Sequence, residues 1–452
     1  MNVDPPEKEH GMVPDNQTQN MNASDISVGE AFSAMKLSKA HVIAGLVLFM
    51  TFVVESWEQV GLVYVSGLIS EDFGVGLAQV GTALAAVALG MVPGALLWAI
   101  VVEKRGRKFV SIASLLLYCV LALVAAFSTS FELFVALRFL SGVAFGGVYA
   151  VTFPYFMELL PTKYRGQGAV ALSIGFPIGM LLCIAVSQSF GDISWRVVAG
   201  VAALAGLWAI AVWKWVPESP YWLVKKGREI EARAVIKDFG VEIPDGRRLV
   251  LDAPPGDSIG IRKMKTLPLM TLVIVISFTF SWAYWGLQSW LPILLQDKGL
   301  SVSGSLGFVA VSQLVAIPGY IIAAWATRRF GRRWIFVIFA VFSGIGALLF
   351  GASTGNTQLY IGNFVLAFFA LGAWGIWNTW SGEVMPTKIR GAGYSASTSA
   401  ILLAQAVSVP VVGLMMDKGL STILTMGSLV AFMIIAVIAT FGLPETEGRE
   451  LQ

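Results

Sequence analysis

Two acids and one base interrupt stretches of sequence that are otherwise apolar. Glu55 and Glu58 lie within the run 42–70, and Arg138 within 131–157. Glu55 and Glu58 are three residues apart, so on a helix they share a face. A charge in hydrocarbon is costly, so acids kept there pair, bind something or carry a proton. A carboxyl group drawn away from water and set beside a second one is suited to loading and releasing a proton. Proton coupling is the expected role of Glu55 and Glu58; contact with a substrate and a structural hydrogen-bonded pair are the alternatives. Arg138 needs a partner of its own. It can pair with Glu55 or Glu58, hold a substrate carboxylate bidentately, or anchor its helix near the outer surface. No nucleophile motif or metal cluster accompanies these residues. The two histidines, His10 and His41, lie in the N-terminal tail and at its end. Neither an enzyme nor a cofactor or metal is expected.

The elements that must hold these groups follow from composition. Of 452 residues 56% are hydrophobic and 13% charged, with a mean hydropathy of +0.74. Soluble domains run nearer 45–50% apolar and about 25% charged. A helix crossing a bilayer needs roughly 20 mainly apolar residues. Twelve such runs are present: 42–70, 78–102, 109–128, 131–157, 168–190, 194–216, 267–295, 305–327, 334–353, 357–382, 393–415 and 421–443. Cys119 and Cys183 fall inside two of them and read as packing residues. The polar segment before the first run has no basic start or small-residue cleavage site, unlike a signal peptide. Of 31 Lys and Arg, 26 fall in the N-tail, the even-numbered loops and the C-tail, against Arg196, Lys298 and Lys418 in the odd-numbered loops. The short even loops alone carry twelve. This bias puts both termini in the cytoplasm. The basicity marks topology and no nucleic-acid partner.

The chain also repeats itself. Glu158-Leu-Leu-Pro-Thr-Lys-Tyr-Arg165-Gly166 recurs as Glu383-Val-Met-Pro-Thr-Lys-Ile-Arg390-Gly391. Arg105-Gly106-Arg107-Lys108 recurs as Phe330-Gly331-Arg332-Arg333, and Pro217-Glu218-Ser219 as Pro444-Glu445-Thr446. The offsets are 225, 225 and 227. The expected fold is an all-α membrane protein of twelve transmembrane helices in two parallel six-helix repeats, an arrangement that places a site at the interface of the halves. The divisions are a disordered cytoplasmic tail (1–40), an N-terminal half (41–216), a cytoplasmic linker (217–266), a C-terminal half (267–443) and a cytoplasmic C-tail (444–452). The linker reads equally as short amphipathic helices on the membrane surface or as a solvated connection.

These motifs resemble the major facilitator superfamily over essentially 40–450. The loop after the second span is similar to G-x-x-x-D-R-x-G-R-K, with Ala99 for Gly and Glu103 for Asp; the second copy has Arg328 where the acid would sit. The resemblance implies a charge network on the cytoplasmic face that locks one conformation. Its candidates are Glu103, Arg107, Glu158, Arg165, Glu218, Glu383, Arg390 and Glu445. The stretch from Pro217 through Trp222 to Ala232 resembles one shared by sugar porters, organic-ion transporters and metabolite–proton symporters. In the seventh span, Trp290-Leu291-Pro292 resembles the aromatic-acid and niacin-type proton symporters, whose first span carries D-G-x-D where this chain has Glu55-Ser56-Trp57-Glu58. In that family a fourth-span arginine at the position of Arg138 is tied to proton transfer.

The resemblance also puts the first, seventh and tenth spans along a central cavity. Trp57, Tyr149, Tyr284, Trp285, Gln288, Trp377, Asn378 and Ser381 are therefore the expected substrate-binding residues. A mainly apolar pocket with few polar groups suits a small ring-bearing molecule. The same rings would also hold a cation. The expected function is proton-coupled symport of a small organic acid, expected to be aromatic, by a monomer in the plasma membrane (the inner membrane in a bacterium). A carrier of organic cations or zwitterions, a drug–proton antiporter and a nontransporting sensor on the same fold are the alternatives. Partners are the substrate, protons and the lipid bilayer.

Overall fold

A computed structural model describes residues 25–33, 35–191, 193–244, 246–251, 266–385 and 390–446, without the side chains of 166, 167, 169, 170 and 390–392. Twelve helices in the described residues are long and apolar enough to span a membrane. The N-terminal six are α1 (Lys39–Phe73), α2 (Leu77–Arg105), α3 (Arg107–Ala126), α4 (Phe131–Glu158), α5 (Arg165–Phe190) and α6 (Trp195–Trp215). The C-terminal six are α7 (Thr266–Gln288), α8 (Val302–Phe330), α9 (Arg332–Gly351), α10 (Asn356–Glu383), α11 (Arg390–Asp417) and α12 (Thr422–Thr440). All twelve expected spans are present. Apolar side chains such as Leu96, Leu97 and Ile100 stay exposed along the spans, the surface that lipid covers.

Local sequence sets where helices start and stop. Ser130 caps α4 by accepting a hydrogen bond from the Leu133 amide, and Ser301 caps α8 through the Gly304 amide. The tight corners α2–α3 and α8–α9 turn on Gly106 (φ 92°) and Gly331 (φ 85°), conformations that favour glycine. Glu218 and Glu445 press against these two glycines, where no side chain fits.

Helices α2 and α4 approach at backbone distance. A Cβ on Gly142 would run into the Val87 carbonyl, and one on Gly146 would meet the Ala95 amide nitrogen at 2.6 Å. Small residues permit this close packing inside membranes. Between the halves, α2 packs on α11 and α5 on α8. The Asp417 carboxylate accepts from the Leu77 and Ala78 amides at 3.0 and 2.8 Å, so the end of α11 caps the start of α2. Gln188 reaches the Ser303 carbonyl at 3.4 Å. Both junctions lie on the face opposite the linker.

The linker is folded where it is described. Helices Pro220–Lys225 and Glu229–Asp238 precede a strand, Arg248–Val250. That strand pairs in parallel with Asp25–Ser27, with Ile26 opposite Leu249. The tail, expected to lack structure over 1–40, is thus folded from Asp25 onward, while 1–24 lie outside the described residues. The reason is local: Val28, Ala31 and Phe32 bury fully in one cluster with Trp222 and Phe239, and His41 stacks on Phe239 at 4.2 Å. The polar composition of the whole tail masked this apolar end.

Gly142→Ala should lower the thermal melting temperature of the purified protein, because overpacking a closed helix contact costs about 1–3 kcal/mol. Gly200→Ala, in α6 with nothing within 4 Å of its Cβ position, should leave it unchanged. Equal melts for the two variants would refute the close α2–α4 packing.

Candidate functional site

The three mid-span charges separate into two surroundings. Glu58 and Arg138 form a salt bridge of 2.6 Å between α1 and α4, with both side chains almost fully buried. The second Glu58 oxygen accepts from the Tyr118 hydroxyl of α3. Three helices of the N-terminal half therefore meet at one carboxylate. A small pocket of about 20 Å³ adjoins it, lined in part by Trp57, Leu62 and Ala122. Arg138 Nε, buried, has no hydrogen-bond partner among the described residues.

Glu55 faces elsewhere. It is buried, and no ion pair or hydrogen bond holds its carboxyl group among the described residues. Tyr149 of α4 and Tyr394 of α11 both lie within electrostatic reach of it, the first from its own half and the second from the other. Tyr394 is 45% exposed as a residue, and it brings a residue of the second half to that buried acid. Across the same interface the Tyr320 hydroxyl and Ser173 are hydrogen-bonded. The shared helix face expected for Glu55 and Glu58 is in fact two adjacent faces. One turns into the N-terminal bundle and the other toward the cleft.

The aromatic residues sort by helical phase. Tyr284 stacks on Trp374 with centroids 4.8 Å apart, and Trp285 meets Trp374 edge-on at 6.1 Å. Phe176 of α5 reaches Trp285 from the other half at 6.2 Å. Trp285 Nε1 is buried without a hydrogen-bond partner among the described residues, as are Ser281 Oγ, Gln405 Oε1 and Ser408 Oγ on the facing stretches of α7 and α11. Trp377, expected at the substrate, is instead core: its indole donates to Ser277 at 3.1 Å, and Ser277 bonds Ser397. Trp374, one turn earlier, is the α10 residue in the aromatic cluster. Ser381 is buried beside the backbone of its own helix, whereas Asn378 is exposed. Gln288 lines a cavity inside the C-terminal half, and Trp57 the pocket beside Glu58. Tyr118, Phe176, Tyr320, Tyr394, Gln405 and Ser408 were missed by sequence reasoning.

At the linker face two charge clusters match each other. Arg107 grips Glu158 with two hydrogen bonds of 3.1 and 3.0 Å, and Arg332 grips Glu383 likewise. Glu218 accepts from the Arg107 and Lys108 amides, and Glu445 from the Arg332 and Arg333 amides, each capping a helix start. Glu103 pairs with Lys225 at 2.6 Å. Arg165 does not meet Glu158, its neighbour in the motif; it bonds the Tyr221 hydroxyl at 2.8 Å. The Arg390 side chain lies outside the described residues. None of these pairs joins the N-terminal half to the C-terminal half.

Comparison with known proteins decides the family. The model of the Major Facilitator Superfamily matches residues 42–329 and 309–451. The chain belongs to that superfamily. It is similar to the niacin transporter NiaP of Acinetobacter baylyi, at 28% identity over 406 residues, covering 86% of this chain and 91% of that one. The 4-hydroxybenzoate transporter PcaK of Pseudomonas putida is 24% identical over 399 residues, covering 84% and 87%. A partially occluded inward-open structure of the xylose transporter XylE from E. coli shares the fold with a TM-score of 0.75 at 16% identity, covering 91% of this chain and all of that one. The protein is a major facilitator transporter and not an enzyme, a multi-pass membrane protein that moves a small molecule.

Burial pushes the Glu218 carboxyl above its ordinary value of 4.5, against the pull of the amides it caps. The folded state therefore holds this proton more tightly than the unfolded chain does. Its contribution to stability is full at acid pH and falls as pH rises through the folded-state value. Melting temperatures measured from acid to neutral pH should carry this decline, and Glu218→Gln should flatten it. An unchanged slope in the variant would refute the assignment.

Proposed function

We propose that this transporter couples the movement of a small aromatic acid to protons, as a symporter working by alternating access. The observation that carries the reading is the Glu58–Arg138 pair with Tyr118 on the same carboxylate. A buried pair of this kind is satisfied only while Glu58 is charged. Protonation of Glu58 loosens α1 from α3 and α4, which is how a proton would move helices. Glu55, with Tyr149 and Tyr394, is the acid that meets whatever enters the cleft. The ring of the substrate would pack against Trp285, Trp374, Tyr284 and Phe176, with the unpaired polar atoms of Trp285 and Gln405 in reach of its polar groups. The substrate class is supported by the niacin and 4-hydroxybenzoate relatives.

The charge bias of the loops supports both termini and the linker in the cytoplasm; the plasma membrane and a monomeric state complete the reading. On this orientation the face bolted by Asp417 is the outer one, and the cleft opens inward. The clusters around Glu158 and Glu383 would join across the halves through rearrangement when the cleft closes on the cytoplasmic side.

Proteoliposomes with an acidic exterior should accumulate labelled nicotinate or 4-hydroxybenzoate, and dissipating the pH gradient should abolish the accumulation. Uptake indifferent to the gradient would end the coupling claim. A second reading, transport of organic cations or zwitterions, is favoured by one observation: the acid in the cleft is unpaired. Glu55→Gln distinguishes the two by equilibrium binding. The aromatic-acid reading expects the variant to bind the acid at least as well as the parent, and loss of all binding together with retained cation binding by the parent would favour the rival.

A further inference from the structure

The repeat makes each half a copy of the other, and the ion-pair cluster has a counterpart. At the offset of 225, Glu58, Tyr118 and Arg138 correspond to Ala283, Ser343 and Asn363. The three C-terminal residues line one cavity of about 40 Å³ inside the α7–α10 and α12 bundle. The pocket beside Glu58 has about half that volume, 20 Å³. The two are equivalent in position: Leu62 and Ala122 line the first, and Leu287 and Ala347, their repeat partners, line the second. Three large side chains have been exchanged for three small ones, and the space they would fill is left as a cavity.

Most of the cavity lining is apolar, and a few polar side chains interrupt it. The Asn363 amide donates to Ser312 Oγ, and the Ser312 hydroxyl donates in turn to the Phe308 carbonyl at 2.8 Å. This fixes the Asn363 side chain and leaves its Oδ1 without a donor among the described residues. Ser343 Oγ is equally unpaired, and the two residues are 1% and 0% exposed. Gln313 lines the same space. A buried acceptor left without a donor forfeits its hydration and is destabilising. No charged side chain lines the cavity, so nothing there compensates a bare ion.

We propose that the C-terminal half carries an internal hydration site: a small water cluster bound by Asn363, Ser343 and Gln313, at the position where the N-terminal half holds its ion pair. A cavity needs roughly 10–15 Å³ and a few polar partners for each water, so about three fit. The ligand class is a neutral molecule that both donates and accepts hydrogen bonds. The site is independent of the coupling ion.

Radiolytic hydroxyl footprinting of the full-length protein in nanodiscs, with mass spectrometry, reads bound water beside buried side chains. Met433 lines the cavity, whereas Met426, also buried, does not. Met433 should be oxidised, with ¹⁸O taken up from labelled water, while Met426 stays unmodified. Ser343→Ala with Asn363→Leu should abolish the labelling of Met433 without touching exposed sites. Ser343→Ala alone should reduce it, which keeps the test available if the double variant fails to fold. Labelling of Met433 no greater than that of Met426, or labelling that survives the double variant, overturns the proposal. Labelling that vanishes when choline replaces sodium also overturns it, because a cation would then be the occupant.

Discussion

The structure turns on one buried carboxylate. Glu58 is held by Arg138 from α4 and by Tyr118 from α3, in a part of the bundle that water scarcely reaches. Breaking a buried pair by removing one partner costs about 3–5 kcal/mol, since the other charge is left uncompensated. The N-terminal half must therefore keep α1, α3 and α4 in register around that group. The close approach of α2 and α4 through Gly90, Gly94, Gly142 and Gly146 fixes the helix that carries the arginine. On the proposed reading, the same rigidity turns a proton into a movement: a change in one charge is felt by three helices at once.

The repeat separates scaffold from chemistry. Both halves keep the glycine corner, the arginine–glutamate grip and the glutamate that caps the next helix. Each set is complete within its half, so it stiffens a six-helix body and leaves the boundary between bodies free to move. The contacts that cross the boundary are different in kind. Asp417 on the α2 amides, Ser173 with Tyr320, and Phe176 against Trp285 are single or paired contacts with no duplicate in the described residues. Charge at mid-depth belongs to the first half alone, and the second half offers rings and neutral polar atoms.

Much of this was legible in the sequence because a bilayer punishes error. Twelve apolar runs, three charges deep within them and two copies of each loop motif leave little freedom in fold or in the choice of Glu58 and Arg138. What escaped was rotation about helix axes. Trp374 and Trp377 read alike along the chain, yet the first joins Tyr284 and the second is tied to Ser277. Arg165 follows Glu158 in one motif, but the loop between them turns the arginine to Tyr221, and Glu158 finds Arg107 across a helix pair. Tyr118 carries no charge, so nothing within its own span marks it. Its signal was in the repeat, where it changes to Ser343 together with Glu58 to Ala283 and Arg138 to Asn363. The folded tail was hidden by averaging, because Val28, Ala31 and Phe32 follow a longer polar stretch.

The most direct test of Glu58 as the proton site compares two modes of transport in one variant. Glu58→Gln has no ionisable group there but keeps the size and a hydrogen-bonding partner for Tyr118 and Arg138. Reconstituted into liposomes, it should still exchange labelled aromatic acid for unlabelled acid across the membrane, and it should no longer accumulate the acid when a pH gradient is imposed. Accumulation driven by the gradient in Glu58→Gln would contradict the account.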